Sequence, residues 1–171
     1  MKYTKILWFT GLSGSGKTTI ATLLKKEFDK KGKNYSIFDG DKIRNSVHKH
    51  LGFTPRDIKE NNRLIIELCK QDFGKVDFIL VPIISPFKES RDAARKMFKE
   101  NFLEIYINCP YDECKKRDSK GHYKKAESGK LQNFIGLHVV YEPPEKPDIE
   151  INSVRENPEE SMRKIVDYLN M

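Results

Sequence analysis

The most constraining feature of this sequence is an octet near its beginning, Gly-Leu-Ser-Gly-Ser-Gly-Lys-Thr, which runs from Gly11 to Thr18. The residues before it are apolar and β-prone, and those after it are compatible with a helix. A strand, a loop of the form G-x-x-x-x-G-K-[ST] and a helix are together typical of a phosphate-binding loop. A simple glycine turn is the alternative interpretation, and the complete octet in this context strongly disfavours it.

The residue types in the octet explain how it would bind a nucleotide. Its glycines let the backbone curve so that successive N–H groups point at a chain of phosphates. The helix that follows adds the positive end of its dipole. We expect Lys17 to reach the β- and γ-phosphates of ATP, and Thr18 to offer a hydroxyl to Mg²⁺. The predicted ATP-binding residues in this region are Gly11, Ser13, Gly14, Ser15, Gly16, Lys17, Thr18 and Thr19.

The composition favours a small phosphorylated partner. The 171 residues suit one domain, and 32 Lys and Arg against 25 Asp and Glu give a net charge of +7. The basic residues are scattered among acidic ones instead of forming one run. A small nucleotide is therefore favoured over nucleic acid or an anionic membrane surface as the partner.

Cysteine and histidine spacing gives no sign of a metal site. Free thiols in a reducing compartment are expected for the three cysteines, Cys69, Cys109 and Cys114. Positions at the surface or around the site are expected for the four histidines, His48, His50, His122 and His138. No apolar run is long enough to span a bilayer, and no signal peptide is recognised before the first predicted strand. These features predict a cytoplasmic enzyme that does not bind a membrane.

Apolar runs alternate with amphipathic runs along the chain, which predicts an α/β fold with a parallel sheet between two layers of helices. The five predicted strands span residues 5–10, 35–39, 77–84, 102–107 and 148–152. The predicted helices span residues 17–31, 41–50, 56–73, 88–100, 111–129 and 158–170. The segment 139–147 contains three prolines and is predicted to be an ordered loop.

Polar residues follow the first three predicted strands, whose carboxyl ends should meet at one site in an open parallel sheet. The first strand leads into the phosphate loop, the second into Asp39 and Asp41, and the third into Ser85 and Pro86. Paired acids can organise Mg²⁺ and accept a proton from an attacking hydroxyl. A turn with a helix cap by Asp41 is the alternative, and the phosphate loop favours the catalytic interpretation. Arg44, one helical turn beyond Asp41, is placed to grip an anionic substrate.

A GTPase is disfavoured, because the guanine-reading pattern Asn-Lys-x-Asp is absent and no acidic residue follows the third predicted strand. This favours a small-molecule kinase whose acids follow the second strand.

Aromatic residues such as Phe53, Phe134 and Tyr141 could stack on a base, but spacing alone does not distinguish this from packing.

Several segments together resemble the adenylylsulfate kinase family of P-loop kinases, over most of the chain from Ile6 to Ile151. In order, they are Gly11–Thr18, Asp39–Asp41, Ile43–Arg44, Leu51–Phe53, Asp57, Glu60–Asn61, Arg63, Ser85–Pro86, Arg91–Asp92, Arg117–Asp118, Lys120–Gly121, Tyr123–Ala126, Asn133–Phe134, Gly136 and Tyr141–Glu142. Phosphate loops are widespread, but this series in this order is specific.

The resemblance implies transfer of the γ-phosphoryl group of ATP, with Mg²⁺, to the ribose 3′-hydroxyl of adenosine 5′-phosphosulfate. The catalytic residues that it implies are Asp41, Lys17, Asp39 and Ser85, with Thr18 and Asp39 at the metal. The acceptor-binding residues that it implies are Asp41, Arg44, Phe53, Asn61, Ser85, Pro86, Lys120, Lys124 and Phe134. Arg117 would join the ATP-binding residues, and residues 111–135 would form a mobile lid that excludes water. The resemblance also suggests a homodimer.

The sequence departs from the family pattern on the acceptor side, while the ATP side is intact. Ile58 stands where the family usually has an arginine, Lys88 and Glu127 also replace arginines, and Ile135 replaces a threonine. Losing one arginine–anion contact weakens binding by ~1.5–3 kcal/mol. A second hypothesis therefore keeps the 3′-phosphorylation and changes the nucleotide, for example to cytidine diphosphoramidate, a nucleotide of capsule modification.

Two hypotheses from other functional classes complete the set. A catalytically silent, nucleotide-binding regulatory module is disfavoured because the sequence retains Lys17, Thr18, Asp39 and Asp41. A kinase or binder of nucleic acid rests only on the net charge of +7.

Overall fold

A parallel sheet forms the centre of the computed structural model, which describes residues 3–46, 48–118 and 120–171. Its strands are β1 Lys5–Thr10, β2 Tyr35–Ile37, β3 Phe78–Pro82, β4 Phe102–Asn108 and β5 Ile149–Asn152. They lie in the order β2-β3-β1-β4-β5, and every neighbouring pair is parallel. The five predicted strands are thus confirmed, with ends that shift by at most two residues.

Helices cover both faces of this sheet. They are α1 Lys17–Lys30, α2 Gly40–Ser46, α3 Pro55–Asp72, α4 Lys88–Phe98, α5 Tyr111–Lys116, α6 His122–Glu127 and α7 Pro158–Tyr168. Within the described residues, no helix is both long and apolar enough to cross a membrane.

The central strand shows why two helical layers are needed. Leu7 and Phe9 belong to a buried cluster with residues of α1 and α7. Ile6 and Trp8 belong to a second cluster, with residues of α3 and α4 on the other face. All four side chains are fully buried, and alternate residues of a strand point to opposite faces. The predicted three-layer α/β/α architecture is therefore confirmed.

Four predicted helices differ from the observed ones by two residues or more, and the one expected over 158–170 ends at Tyr168. The helix expected over 41–50 ends at Ser46, and the helix expected over 88–100 ends at Phe98, where a short 3₁₀ turn follows. The single helix expected over 111–129 was wrong, because the chain forms α5 and α6 with a break between them. Asp118 lies in that break and accepts hydrogen bonds from the backbone N–H groups of His122 and Tyr123, both at 2.9 Å. This carboxylate satisfies the start of a second helix, so the two helices are not continuous.

A buried arginine ties the sheet to the loops at its carboxyl edge. Arg91 of α4 is 2% exposed, and its Nε donates to Glu104 Oε1 of β4 at 2.7 Å. Its other two nitrogens donate to the carbonyl oxygens of Ser85 at 2.8 Å and Glu142 at 2.6 Å. One rigid guanidinium thus fixes the segment after β3 relative to β4.

We predict that Arg91→Met lowers the free energy of unfolding by about 3 kcal/mol or more, because it leaves the Glu104 carboxylate buried without its main partner. The matched control is Lys88→Met in the same helix, which removes an exposed ion pair with Asp92 and should cost less than about 1 kcal/mol. Urea unfolding followed by circular dichroism measures both changes. Equal losses in the two variants would contradict the central role of Arg91.

Candidate active site

A cavity of about 1120 Å³ opens at the carboxyl ends of β1, β2 and β3. This volume slightly exceeds the range of about 300–1,000 Å³ that is typical of small-molecule sites, so more than one ligand fits. The predicted site residues that line it are Ser13, Gly14, Ser15, Gly16, Lys17, Thr18, Thr19, Asp39, Asp41, Arg44, Phe53, Asn61, Ser85, Pro86, Arg117 and Lys120. The expectation that the first three strand ends converge on one site is confirmed.

Glycines give the phosphate loop its path. Gly11 has a φ of +146°, and a Cβ there would lie 2.6 Å from the carbonyl oxygen of Ile107. Gly16 has a φ of +113° directly before α1, a conformation that other residues rarely adopt. The loop curves so closely that the Lys17 ammonium donates to the carbonyl oxygens of Gly11 at 2.9 Å and Leu12 at 2.7 Å.

The ammonium of Lys17 lies in an environment that disfavours its charge. The residue is only 8% exposed. Burial lowers the pKa of Lys17 to about 8, and the negative charges of Asp41 and Asp39 offset only part of this effect. An anionic phosphate beside the ammonium would stabilise the charged form and raise this pKa again.

Asp39 joins the phosphate loop to the start of α2. Its Oδ2 accepts a hydrogen bond from Thr18 Oγ1 at 3.4 Å. Its Oδ1 accepts from the backbone N–H groups of Asp41 at 3.1 Å and Lys42 at 3.2 Å. The alternative in which Asp41 caps the helix was therefore wrong: Asp39 precedes the first helical residue and is the cap. Asp41 lies inside the first turn, and its carboxylate is available to the cavity.

The side-chain oxygens of Thr18 and Asp39 are ligands of the kind that Mg²⁺ prefers. This ion prefers oxygen ligands and usually keeps several waters or phosphate oxygens in its coordination shell. Within the described part of the chain, no three His, Cys, Asp or Glu side chains gather where they could hold a metal. An ion at Thr18 and Asp39 would therefore take most of its ligands from bound phosphates and water.

Asp41 forms an ion pair with Lys120, which lies between α5 and α6. Both side chains are more than half exposed, at 64% for Asp41 and 55% for Lys120. Exposed pairs of this kind contribute little stability and exchange readily with solvent. The Asp41 carboxylate is thus held at the cavity by a contact that a substrate can replace.

Arg44 and Phe53 lie together in the cavity wall. The guanidinium carbon of Arg44 is 4.5 Å from the centre of the Phe53 ring. Nη1 of Arg44 also donates to the carbonyl oxygen of Gly52 at 2.6 Å. Phe53 is 49% exposed although it is a large apolar residue, so one face of its ring is open to a ligand.

Asn61 of α3 lines the same cavity and has a buried partner that the sequence did not reveal as functional. His48 is 3% exposed and Asn61 is 4% exposed. The Nδ1 atom of His48 lies 2.9 Å from Oδ1 of Asn61. A position of His48 on the surface is thus ruled out, and its ring lies directly behind a cavity residue.

Ser85 combines three unusual features. It is 2% exposed, and its φ of +44° lies in the left-handed region that non-glycine residues rarely adopt. Its carbonyl oxygen accepts from Arg91 and, at 3.2 Å, from Thr10 Oγ1, which holds this conformation. Its hydroxyl has no hydrogen-bond partner within the described residues. A strained residue with an unpaired polar group in a cavity wall is typical of functional sites.

Three predicted site residues are not brought to the cavity wall: Gly11, Lys124 and Phe134. Gly11 begins the loop, and its carbonyl oxygen accepts a hydrogen bond from Lys17. Phe134 is 8% exposed and packs edge-on against Tyr123, with ring centres 4.8 Å apart. Its ring is therefore occupied by packing within residues 111–135 in this structure.

The far end of the cavity contains residues that the sequence did not single out. The connection from β5 to α7 contributes Ser153, Val154, Arg155, Glu156 and Asn157 to the lining. Arg117 donates to the Ser153 carbonyl oxygen at 2.7 Å and so joins this connection to the end of α5. These residues lie in an irregular segment without a motif, so no sequence signal was available for them.

Comparison with known proteins agrees with a kinase active site in this cavity. The profile of the family described as Adenylylsulphate kinase matches residues 3–152. The chain belongs to the adenylylsulphate kinase family. Among its relatives, the adenylyl-sulfate kinase of Staphylococcus epidermidis is 42% identical over 165 residues, covering 96% of this chain and 83% of that protein. The adenylyl-sulfate kinase of Clostridium acetobutylicum is 42% identical over 164 residues, covering 96% of this chain and 82% of that protein. Members of this family are kinases that use ATP as the phosphate donor.

Solved structures support the family fold. The APS kinase CysC of Mycobacterium tuberculosis, in complex with AMPPNP and APS, has a TM-score of 0.95 at 33% identity, with all of both chains covered. Shikimate kinase from Aquifex aeolicus has a TM-score of 0.58 at 16% identity over 96% of each chain, and this likeness concerns the fold alone. The P-loop kinase fold predicted from the sequence is thus confirmed.

We predict that the affinity for ADP falls as the pH rises through about 8, because free Lys17 then loses the proton that the bound phosphates require. The loss should approach tenfold per pH unit above 8 until the higher pKa of the bound state is reached. Isothermal titration between pH 7 and 9.5 measures it. Lys17→Arg is the control, since a guanidinium stays charged over this range and its affinity should not follow that profile. The same pH dependence in both proteins would show that Lys17 is not the titrating group.

Proposed function

We propose that this chain is an ATP-dependent kinase that phosphorylates the ribose 3′-hydroxyl of adenylylsulfate. The observation that carries the proposal is the cavity itself, which is lined by residues 13–18 of the phosphate loop, by Asp39 and Asp41, and by the neighbouring acceptor residues. The family membership and the relatives described above support the same reaction. Donor and acceptor would occupy two ends of this one cavity.

The donor end is formed by the phosphate loop and the start of α1. Lys17 would contact the β- and γ-phosphates, and the N–H groups of the loop would bind the phosphate oxygens. The pair of Arg117 and Ser153 lies at the cavity and is the candidate site for the base and sugar of ATP. Thr18 and Asp39 would hold Mg²⁺, which supplies charge neutralisation on the phosphates when bound.

The acceptor end contains Arg44, Phe53 and Asn61. Phe53 offers an open ring face for stacking, and Arg44 supplies a positive charge beside it. Lys120 would leave Asp41 and move to the negative charges of the nucleotides when they bind. We also propose that residues 111–135 act as a lid, because Tyr123 Oη donates to the Ser13 carbonyl oxygen at 2.7 Å and so ties this segment to the phosphate loop.

The transfer step follows from this arrangement. The 3′-oxygen of the acceptor attacks the γ-phosphorus of ATP, the new O–P bond forms, and the bond from the γ-phosphorus to the bridging oxygen of ADP breaks. The proton of the 3′-hydroxyl passes to the Asp41 carboxylate, which acts as general base or orients the hydroxyl. Lys17 would hold the negative charge that moves to the leaving ADP.

We predict that Asp41→Asn lowers kcat for 3′-phosphorylation by about 10²- to 10⁴-fold, while ADP affinity changes less than threefold. The amide keeps the size of the side chain but cannot accept the proton. Asp167→Asn, an exposed acid in α7 away from the cavity, is the matched control and should retain full activity. Turnover with ATP, Mg²⁺ and adenylylsulfate is followed by ADP release, with the phosphorylated position read by NMR. Unchanged turnover in Asp41→Asn would contradict the role of this acid.

A second acceptor is favoured by the apolar part of the acceptor wall. Ile58 and Ile135 line the cavity and are 2% and 7% exposed, and they stand where the family pattern has arginine and threonine. A wall without a cation here gives up one contact to the sulfate of adenylylsulfate, and so suits an acceptor with a different 5′ group. The second candidate is therefore the same phosphoryl transfer to another activated nucleotide, such as cytidine diphosphoramidate.

The two acceptors are distinguished by comparing kcat/KM for adenylylsulfate and for cytidine diphosphoramidate on one preparation. We expect Ile58→Arg to change the ratio of these values in favour of adenylylsulfate by about tenfold, because it restores one charged contact. A higher kcat/KM of the unaltered chain for adenylylsulfate would exclude the second candidate. The absence of turnover with both nucleotides would remove the proposed function.

A further inference from the structure

His48 is the residue behind the cavity wall that the proposed function does not yet use. It lies in the connector between α2 and α3, where its N–H donates to the Ile43 carbonyl oxygen at 3.0 Å. Its own carbonyl oxygen accepts from the N–H of Leu51, also at 3.0 Å. These backbone bonds and the burial of the ring, which is 3% exposed, give the imidazole a fixed place. A buried polar ring needs a partner, and the partner in this structure is Asn61.

The contact with Asn61 determines which end of the amide is free. Oδ1 of Asn61 lies 2.9 Å from Nδ1 of His48, and since an amide oxygen carries no hydrogen, Nδ1 must be the donor. The oxygen of Asn61 is therefore occupied. The amide nitrogen makes no hydrogen bond within the described residues and is not among the fully enclosed unpaired atoms there. Because Asn61 lines the cavity, its free N–H₂ group is what a ligand meets.

The same connector also positions the other polar group of the acceptor end. The carbonyl oxygens of Leu51 and Gly52, which follow His48 in the connector, accept from Nη1 of Arg44 at 3.5 and 2.6 Å. The segment His48–Gly52 therefore holds two donors at the cavity, one through a side chain and one through its backbone. Both residues line the cavity, where an acceptor nucleotide would offer many oxygen acceptors.

We propose that His48 is a positioning residue of the acceptor site: it fixes the Asn61 amide so that its N–H₂ group donates to an oxygen of the acceptor nucleotide. This inference rests on the proposed function for its substrate and extends it to a residue outside the cavity lining. His48 does not touch the substrate and acts through Asn61. Without it, the amide can rotate and present its oxygen, which repels the phosphate and sulfate oxygens of the acceptor.

The test uses two substitutions at position 48 and one at its neighbour. His48→Leu places an apolar side chain of similar volume at this position and removes the Nδ1 donor. We therefore expect KM for the acceptor to rise about tenfold, with KM for ATP unchanged. His48→Asn places an amide nitrogen where Nδ1 lies, and most of the acceptor affinity should return. His50→Leu alters a nearby exposed histidine that is not part of the cavity lining and should leave both KM values unchanged.

A double-mutant cycle separates positioning from a merely structural role. If His48 acts through Asn61, His48→Leu should not raise the acceptor KM further in an Asn61→Ala background. The kinetic measurements use whichever acceptor has the higher kcat/KM in the comparison above. Additive effects, or an unchanged acceptor KM in His48→Leu, would overturn the proposal even when the enzyme is active.

A measurement on the protein without substrate keeps this test separate from the proposed function. The ¹⁵N NMR spectrum of the imidazole should show a proton on Nδ1 of His48, and His48→Leu should alter the side-chain amide signals of Asn61. An unprotonated Nδ1 would overturn the positioning role, whatever the substrate is. Loss of all turnover in the unaltered chain, with Nδ1 still protonated, would instead count against the proposed function alone.

Discussion

The parallel direction of all five strands is the constraint on which the rest of this molecule depends. Parallel strands bring their carboxyl ends to one edge of the sheet, so the loops that leave them must meet there. The phosphate loop follows β1, the acid pair follows β2 and the strained serine follows β3. Because β1 lies between β3 and β4, the phosphate loop has chemical groups from neighbouring strands beside it. An antiparallel arrangement would place alternate loops at opposite edges.

Buried polar contacts then convert this edge into a defined site. Arg91 holds the carbonyl oxygen of Ser85 and so helps to keep that residue in a strained conformation with its hydroxyl unpaired. Asp39 holds the start of α2, which brings Asp41 to the cavity. His48 holds Asn61. In each case a buried partner orients a residue at the cavity, and this is how a cavity of this size can have a specific geometry.

Much of the fold could be predicted because it depends on local patterns. The five strands and most helix ends follow from apolar periodicity, and the octet marks the first turn of α1. The break between α5 and α6 was missed, although residues 115–122 contain no apolar side chain and include Gly121, which has a φ of +65° directly before α6. The bonds of Asp118 to the next helix show the interruption in the structure. The predicted base contact by Phe134 remains a prediction, since its ring packs on Tyr123 in this structure. The sequence left His48 between the surface and the surroundings of the site, because nothing in its spacing distinguishes a buried histidine from an exposed one.

The sequence by itself determined the phosphate loop, the acid pair after the second strand and the α/β fold, because each depends on residues that are close together in the chain. Only the tertiary structure decided that Asp39 rather than Asp41 is the helix cap, that Ser85 is strained and unpaired, and that His48 lies against Asn61. The cap depends on the residue at which α2 begins, and the other two facts depend on burial and on contacts between separate segments. Spacing along the chain records neither the direction of a side chain nor what lies behind it, and packing fixes both.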